Sequence, residues 1–420
     1  MAAKRKESKE RKTELKAAKR ESRREFMGEL GEVLGGYDFG VVALVLILSF
    51  FGVAMVFSAG YYETINFPEP DPLYYLRRQL FFVVTGFILM MILANFNYRI
   101  YSKLYGFVAL ISIILLGVVN VMGITVNNAQ RWIDLGFIRI TPSEFSKVFM
   151  IIFTACFLAA NPRNVKTIKG LAVLFTVMGI HFALIIMQPN LSTAIVIAAI
   201  MIAIMLVAGL HILFMIIPVI GAIGLYFYII TSKTPLHWYK RITSFSDPFA
   251  DRQGDGYQVT QGLIALGNGG LKGLGFGRSV SKNLYLPEPQ NDFILAIIGE
   301  ELGYIGFLVL MLLYIFLLFR LFMIALKSRD SLGLYLGSGV AVMLGIQVVI
   351  NVAVVTSSMP ATGITLPFIS YGGTSIWAFM MAMGISLNIS KQNNAMERRR
   401  QNKRTKDKST HNQNGAEAAS

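Results

Sequence analysis

About ten stretches of this chain stay apolar for 18 to 27 residues each, near 39–60, 78–96, 104–125, 143–160, 170–187, 191–208, 212–230, 292–318, 333–355 and 368–389. At about 1.5 Å of rise per residue, runs of that length cross the roughly 30 Å hydrocarbon core of a bilayer as helices. A helix also satisfies its backbone hydrogen bonds locally, as a spanning segment must. With a mean hydropathy of +0.56 and only 15% charged residues, the 420-residue chain is too apolar for a soluble protein of its size. The expected fold is all-α: a polytopic integral membrane protein with about ten transmembrane helices. The first run follows a charged tail and lacks a cleavage-site pattern, so it reads as a retained span and not a signal peptide.

The net charge of +15 sits mainly at the ends, in Lys4 to Arg24 and Lys391 to Lys408. Short loops carry Arg99 and Lys103, then Arg163, Lys166 and Lys169, then Arg320, Lys327 and Arg329. All of these fall on one side if both termini are cytoplasmic, as the bias of cationic loops toward the inside requires. The organisation read from this is a basic cytoplasmic tail over 1–38, a ten-helix membrane domain over 39–389 and a second basic cytoplasmic tail over 390–420. Such tails suit anionic lipid and give no reason to expect a nucleic-acid partner. Cys156, the lone cysteine, reads as packing. His181, His211, His237 and His411 are scattered without metal-ligand spacing, so no protein-built metal site is expected.

With this topology three segments face outward. They are NNAQRWIDLGFIRITPSE from Asn127, a large extracellular loop over 231–291 between helices 7 and 8, and TSSMPATGITLPFISYGGTS from Thr356. Chemistry is expected at that face. GLGFGR at Gly273 has no βαβ context for a dinucleotide, and no Walker A motif occurs. The glycines from Gly262 to Gly277 read either as a way to bring backbone donors to a ligand or as turns of a mobile loop.

Acids stand out in LPEPQNDFILAIIGEELGYIG, which begins at Leu286. Asp292 is the last polar residue before an apolar run, and Glu300 and Glu301 lie inside it. A charged side chain at the centre of a membrane helix costs about 2.5–3.5 kcal/mol on insertion scales. Helical geometry puts Glu300 about 12 Å below Asp292 and about 80° round, so the two are expected to line one polar cleft, with Glu301 on the opposite side. Pro287 and Pro289 stiffen the approach to Asp292. In TPSE, Thr141 reads as an N-cap, Pro142 as the first helical residue and Glu144 as a capping-box partner that Lys147 can also pair with. Arg131 and Arg139 lie close by in sequence. Outward cations beside acids suit an anionic substrate, and Trp132 reads as a sugar-stacking or interfacial ring. Pro189 in QPN reads as a break that Gln188 and Asn190 satisfy, and Asn351 as a bond to a neighbouring helix.

Together, RWIDLGFIRITPSEFSK, QPNLSTA, GDGYQVTQGLIALGNGGLKGLGFG, LPEPQNDFILAIIGEELG and LPFISYGGTS resemble the SEDS family, the bacterial shape, elongation, division and sporulation proteins. The resemblance runs from about Asp38 to Ile389. It is nearer the division branch than the elongation branch, with the sporulation branch close. It implies a peptidoglycan glycosyltransferase that polymerises lipid II and releases undecaprenyl pyrophosphate, in the bacterial cytoplasmic membrane. It also implies a class B penicillin-binding protein and other division proteins as partners. The family's essential aspartate maps onto Asp292, and its membrane-edge acid and lysine onto Glu144 and Lys147. Asn190 departs from the family's usual aspartate, and Arg252 stands where a proline is common.

On this reading Asp292 is the general base for the acceptor hydroxyl. Arg131, Arg139, Lys147 and Arg241 are candidate cations for the leaving pyrophosphate, and Glu144 and Glu300 complete the expected substrate-binding set. A single displacement inverts the anomeric centre. Cofactors are none, or a divalent cation (Mg or Mn) assisting the pyrophosphate. The rival readings are a flippase for a lipid-linked precursor and a non-catalytic division scaffold.

Overall fold

The computed structural model describes residues 36–126, 129–136, 138–232, 239–241, 245, 247–249, 254 and 256–417. The helices, numbered in chain order, are α1 Phe39–Ile65, α2 Tyr74–Asn95, α3 Tyr101–Met122, α4 Pro142–Ala160, α5 Ile168–Ile186, α6 Leu191–Val207, α7 Ile216–Ser232, α8 Tyr257–Gly269, α9 Ile294–Leu326, α10 Ser331–Val355 and α11 Gly373–Glu417. Between α3 and α4 lies a small antiparallel sheet in the order β1 Ile124–Val126, β2 Ala129–Asp134, β3 Arg139–Ile140. Among the described residues, α1, α2, α4, α5, α9, α10 and α3 with its preceding turn are long and apolar enough to cross a membrane, and α6 is a shorter apolar helix. The chain is a polytopic membrane protein. The tail expected over 1–38 lies almost wholly outside the described residues, whereas in the other tail α11 continues as one helix to Glu417.

Short polar residues start the helices where apolar runs begin. Asp38 accepts from Val41 N (3.1 Å), Thr167 from Gly170 N (3.2 Å) and Asp330 from Gly333 N (3.0 Å), each satisfying a backbone donor that the first helical turn leaves open. Thr141 does occupy the N-cap of α4 and Pro142 opens it, but the Thr141 side chain makes no cap bond. The expected capping box is therefore not formed; Lys147 takes the Glu144 carboxylate instead.

The bundle has two polar ends. At one, Arg320 pairs with Asp38 (2.6 Å), Arg99 and Tyr98 meet Asp330 (3.3 and 2.9 Å), and Lys391 donates to Asn95 (2.8 Å). The cationic loops after α2 and α9 lie at this end. The opposite end carries the sheet and the starts of α4, α6, α9 and α11.

Helix α9 is broken at Gly303, where φ is +67° and ψ −169°. The glycine-rich run after α8 repairs the break. Leu274 N donates to Glu300 O (2.9 Å) and Gly275 N to Glu301 O (2.9 Å), while Tyr304 N and Ile305 N donate to Gly270 O and Leu271 O (2.9 and 3.2 Å). Irregular backbone inside a membrane protein is stable when protein groups satisfy it in this way. A Cβ on Gly303 would meet backbone atoms of Gly273 and Leu271, so the site needs glycine for both its torsion and its close approach. Of the glycines in this run, Gly270 and Gly275 bond to α9, and Gly269 and Gly273 pack against its backbone.

Candidate active site

Asp292 stands just before α9, at the end of the turn Pro287–Asp292. Its backbone carbonyl accepts from Asn351 Nδ2 of α10 (2.8 Å), which also donates to Ile364 O (2.8 Å). Two residues earlier, Gln290 Nε2 donates to Glu63 at the end of α1 (2.7 Å) and to the Tyr75 hydroxyl of α2 (3.0 Å), and Gln290 O accepts from Tyr371 N (2.8 Å). The turn is thus pinned by α1, α2, α10 and the segment leading into α11. The Asp292 side chain is half-buried and lies beside Gly363.

Two guanidiniums face that carboxylate. The β2 strand carries Arg131 to the break between α5 and α6, where Nε donates to Gln188 O (3.1 Å) and Nη2 to Pro189 O. Gln188 itself reaches Leu116 O (3.1 Å) and Asn190 caps α6, so QPN has the structural role expected of it. Arg241 Nη1 donates to Ala361 O (3.1 Å). Burial pushes the Asp292 carboxyl up to about 6, with Glu288 adding to the rise; its own backbone N–H, Arg241 and Arg131 oppose it. Burial and then Arg241 bring the Arg131 guanidinium down to about 10, against the pull of Asp292, and it stays cationic at neutral pH.

Arg131 and Arg241 border a cavity of about 1150 Å³ between α5, α6, α7 and the 359–364 segment. Its remaining lining is mostly apolar, including Phe182, Ile195, Ile202, Tyr228 and Met359. An apolar cavity with cations at its border matches an amphiphile that joins a phosphate group to a hydrocarbon chain.

The other expected site residues are placed differently. Arg139 pairs with Asp134 (3.4 Å), and its charge acts on Tyr371. Lys147 is only 2% exposed, with its ammonium bound to Glu144 (2.7 Å) and Gln347 (3.0 Å) and 5.8 Å from the Phe379 ring. It is enclosed between α4, α10 and α11 and is not part of an outward cation cluster. Glu300 does not share a cleft with Asp292. Its fully buried carboxylate accepts from Ser281 N (3.2 Å), Ser281 Oγ (3.1 Å), Asn268 Nδ2 (3.2 Å) and Ser279 Oγ. Next to it, Glu301 binds Lys282 Nζ (2.8 Å) and Ser58 Oγ (2.7 Å). The folded-back glycine run closes the space that helical geometry alone had left open. Among the described residues no three His, Cys, Asp or Glu side chains gather as metal ligands.

Asn351, read from the sequence as a bond to a neighbouring helix, instead holds the backbone of Asp292 and Ile364. Sequence reasoning missed two residues: Gln290, which holds the turn of Asp292, and Lys282, which neutralises Glu301 away from that site. Lys282 had a signal: it is a cation shortly before a helix that buries two acids, and a buried acid needs a partner.

Residues 39–395 match the family model described as cell cycle protein, which is named for FtsW, RodA and SpoVE. The chain is 38% identical over 358 residues to stage V sporulation protein E of Bacillus subtilis strain 168, covering 84% of this chain and 97% of that one. It is 37% identical over 360 residues to a probable peptidoglycan glycosyltransferase FtsW of Coxiella burnetii, covering 84% and 96%. Among solved structures, a chain of a peptidoglycan synthase complex superposes with a TM-score of 0.70 at 27% identity, covering 85% of this chain and 98% of that one. The rod shape determining protein RodA of Thermus thermophilus gives 0.63 at 27% identity, covering 85% and 97%. The SEDS resemblance is borne out: the chain belongs to the cell cycle protein family of FtsW, RodA and SpoVE.

Proposed function

We propose that this protein is a peptidoglycan glycosyltransferase that polymerises lipid II at the outer face of the cytoplasmic membrane. The observation that carries the reading is the Asp292 carboxylate facing Arg131 and Arg241 at the border of an apolar cavity. Asp292 takes the proton of the acceptor sugar hydroxyl. The new C–O bond forms at the anomeric carbon of the donor as the bond to the pyrophosphate oxygen breaks, and undecaprenyl pyrophosphate leaves with the electron pair. Attack from the opposite side inverts that centre. A positioned base of this kind contributes about 10²–10⁴-fold. A carboxyl near 6 is mostly ionised at neutral pH and is a stronger base than an ordinary aspartate. Arg131 and Arg241 stabilise the charge that develops on the leaving group, as cations already held in place by backbone carbonyls. The apolar cavity receives prenyl carbons. A Mg or Mn ion assisting the pyrophosphate would take its ligands chiefly from phosphate oxygens and water.

The chain crosses the membrane ten times in this reading, through α1–α7 and α9–α11, with both termini in the cytoplasm. The gathering of Arg99, Lys327 and Lys391 at the end away from Asp292 supports that orientation. The partner is a class B penicillin-binding protein together with other division proteins; a structural neighbour works within a synthase complex of polymerization and crosslinking. Reconstitution with labelled lipid II tests the reading. Glycan strands on a gel support it. Movement of labelled lipid across the bilayer without polymer favours the flippase, and a cell-division role that survives loss of Asp292 favours the scaffold.

A further inference from the structure

The turn that presents Asp292 is strained. Glu288 sits at φ +45°, in the left-handed region that residues with a Cβ adopt at a cost. Within the turn, Asn291 N donates to Glu288 O (3.0 Å) and Asn291 Nδ2 to the Glu288 carboxylate (2.8 Å). Strain of this kind persists only where the surroundings over-determine it.

A closed ring of three side chains supplies that hold. Gln290 Nε2 donates to Glu63 Oε2 (2.7 Å) and to the Tyr75 hydroxyl (3.0 Å), and the hydroxyl donates to Glu63 Oε1 (3.0 Å). Two amide hydrogens and one phenol hydrogen fill the three bonds, so the ring closes only with Glu63 as an acceptor at both oxygens, which is the carboxylate. The ring also dictates how the amide points. Gln290 is 2% exposed, and its Oε1 has no hydrogen-bond partner in the protein. Turning the amide over would set that oxygen against the carboxylate. The other corners are fixed. Glu63 lies in the last turn of α1, and the Tyr75 ring meets Tyr74 and Tyr371 edge-on, with centroids 5.2 and 4.8 Å away. A Cβ on Gly60 of α1 would overlap the Tyr75 ring, so the bare backbone there lets the ring lie against the helix. From the far side, Tyr371 N donates to Gln290 O (2.8 Å). Glu63, Tyr75 and Gln290 stand outside the lining of the cavity that Arg131 and Arg241 border.

We infer that Glu63 is a positioning residue: from the end of α1 it holds, through Gln290, the turn that aims Asp292 at the acceptor hydroxyl. The inference rests on the reading of Asp292 as the general base. Because the three side chains stay clear of the cavity, they act on the aim of the base and not on the hold over a bound amphiphile. Hydrogen bonds to an ionised acceptor are about twice as strong as neutral ones, so the charge of Glu63 counts as well as its shape.

The test joins turnover to hydrogen exchange, on the full chain in detergent. Glu63→Gln leaves one acceptor oxygen where there were two and sets donors against the Gln290 amide. It lowers kcat for lipid II polymerisation about tenfold and keeps KM within about twofold of wild type. Amide exchange in the peptides that contain Asn291 and Tyr371 speeds up about tenfold. The double variant Glu63→Gln/Gln290→Glu places the amide on α1 and the carboxylate on the turn, so donor and acceptor face each other again. It returns kcat and exchange to within about threefold of wild type, a coupling that two independent losses cannot give. Rates are taken at about pH 8, where the base is ionised, and are expressed per folded molecule from melting curves. Tyr75→Phe removes one bond and leaves the charge in place; it gives a smaller loss of the same kind and replaces Glu63→Gln should that variant not fold. Wild-type kcat and exchange in Glu63→Gln overturn the inference. So does a loss confined to KM, or a double variant no better than the sum of its two single losses. If wild type makes no polymer, the glycosyltransferase reading fails, and the hold of Glu63 on the turn stands or falls on the exchange data alone.

Discussion

The acid limb of the pH–rate profile reports the charge of Asp292. A general base works only as the carboxylate, so the rate rises with pH through its pKa. With that value at about 6, about one molecule in ten carries the active form at pH 5 and about nine in ten at pH 7, a rise of about tenfold. Charge substitutions move the limb in opposite directions. Arg131→Gln removes a cation that favours the carboxylate and shifts the limb upward. Glu288→Gln removes an anion that disfavours it and shifts the limb downward. Both act less than burial does, so each shift is smaller than the rise that burial causes. The assay is the initial rate of polymerisation of fluorescent lipid II from about pH 5 to about pH 8, with melting temperature followed alongside to separate titration from unfolding. A limb that is absent near pH 6, or shifts of the same sign in both variants, refutes the reasoning.

Other outcomes follow from single contacts. Asn351→Leu leaves the carbonyls of Asp292 and Ile364 without their donor; it costs about 1–3 kcal/mol in stability and lowers kcat about tenfold with KM little changed, measured by steady-state kinetics. Lys282→Met strands Glu301 in the interior and costs about 3–5 kcal/mol, seen as a fall in melting temperature that adding Glu301→Gln partly reverses. Gly303→Ala forces a Cβ against Leu271 and Gly273 at a positive φ, so folded protein is lost on size-exclusion chromatography; a monodisperse peak at wild-type yield contradicts the repair of α9 described above.

Much of this architecture was legible because apolar run length is a direct physical signal. Most runs became helices near their expected bounds, although α11 continues to Glu417; Thr141 takes the N-cap position of α4 but makes no cap bond. Asp292 was legible as the polar residue beside a membrane helix, and Arg131 and Arg241 as cations on outer segments. The fate of Glu300 was not legible, because a helical wheel extrapolated from Asp292 takes no account of a segment about 20 residues upstream folding back. Ser279, Ser281 and Asn268 reach that carboxylate close to where α9 breaks at Gly303. Lys147 shows a related limit: its pairing with Glu144 follows from helical spacing, but its enclosure by Gln347 and Phe379 comes from α10 and α11, far away in sequence. Local pattern gives the partner within a helix, and tertiary packing decides whether the pair meets water.

Purified Asp292→Asn with lipid II is the most direct measurement of the central claim. The amide keeps the size of the side chain and removes the base. The account predicts a folded protein that forms no glycan strands; polymer made at the wild-type rate would contradict it.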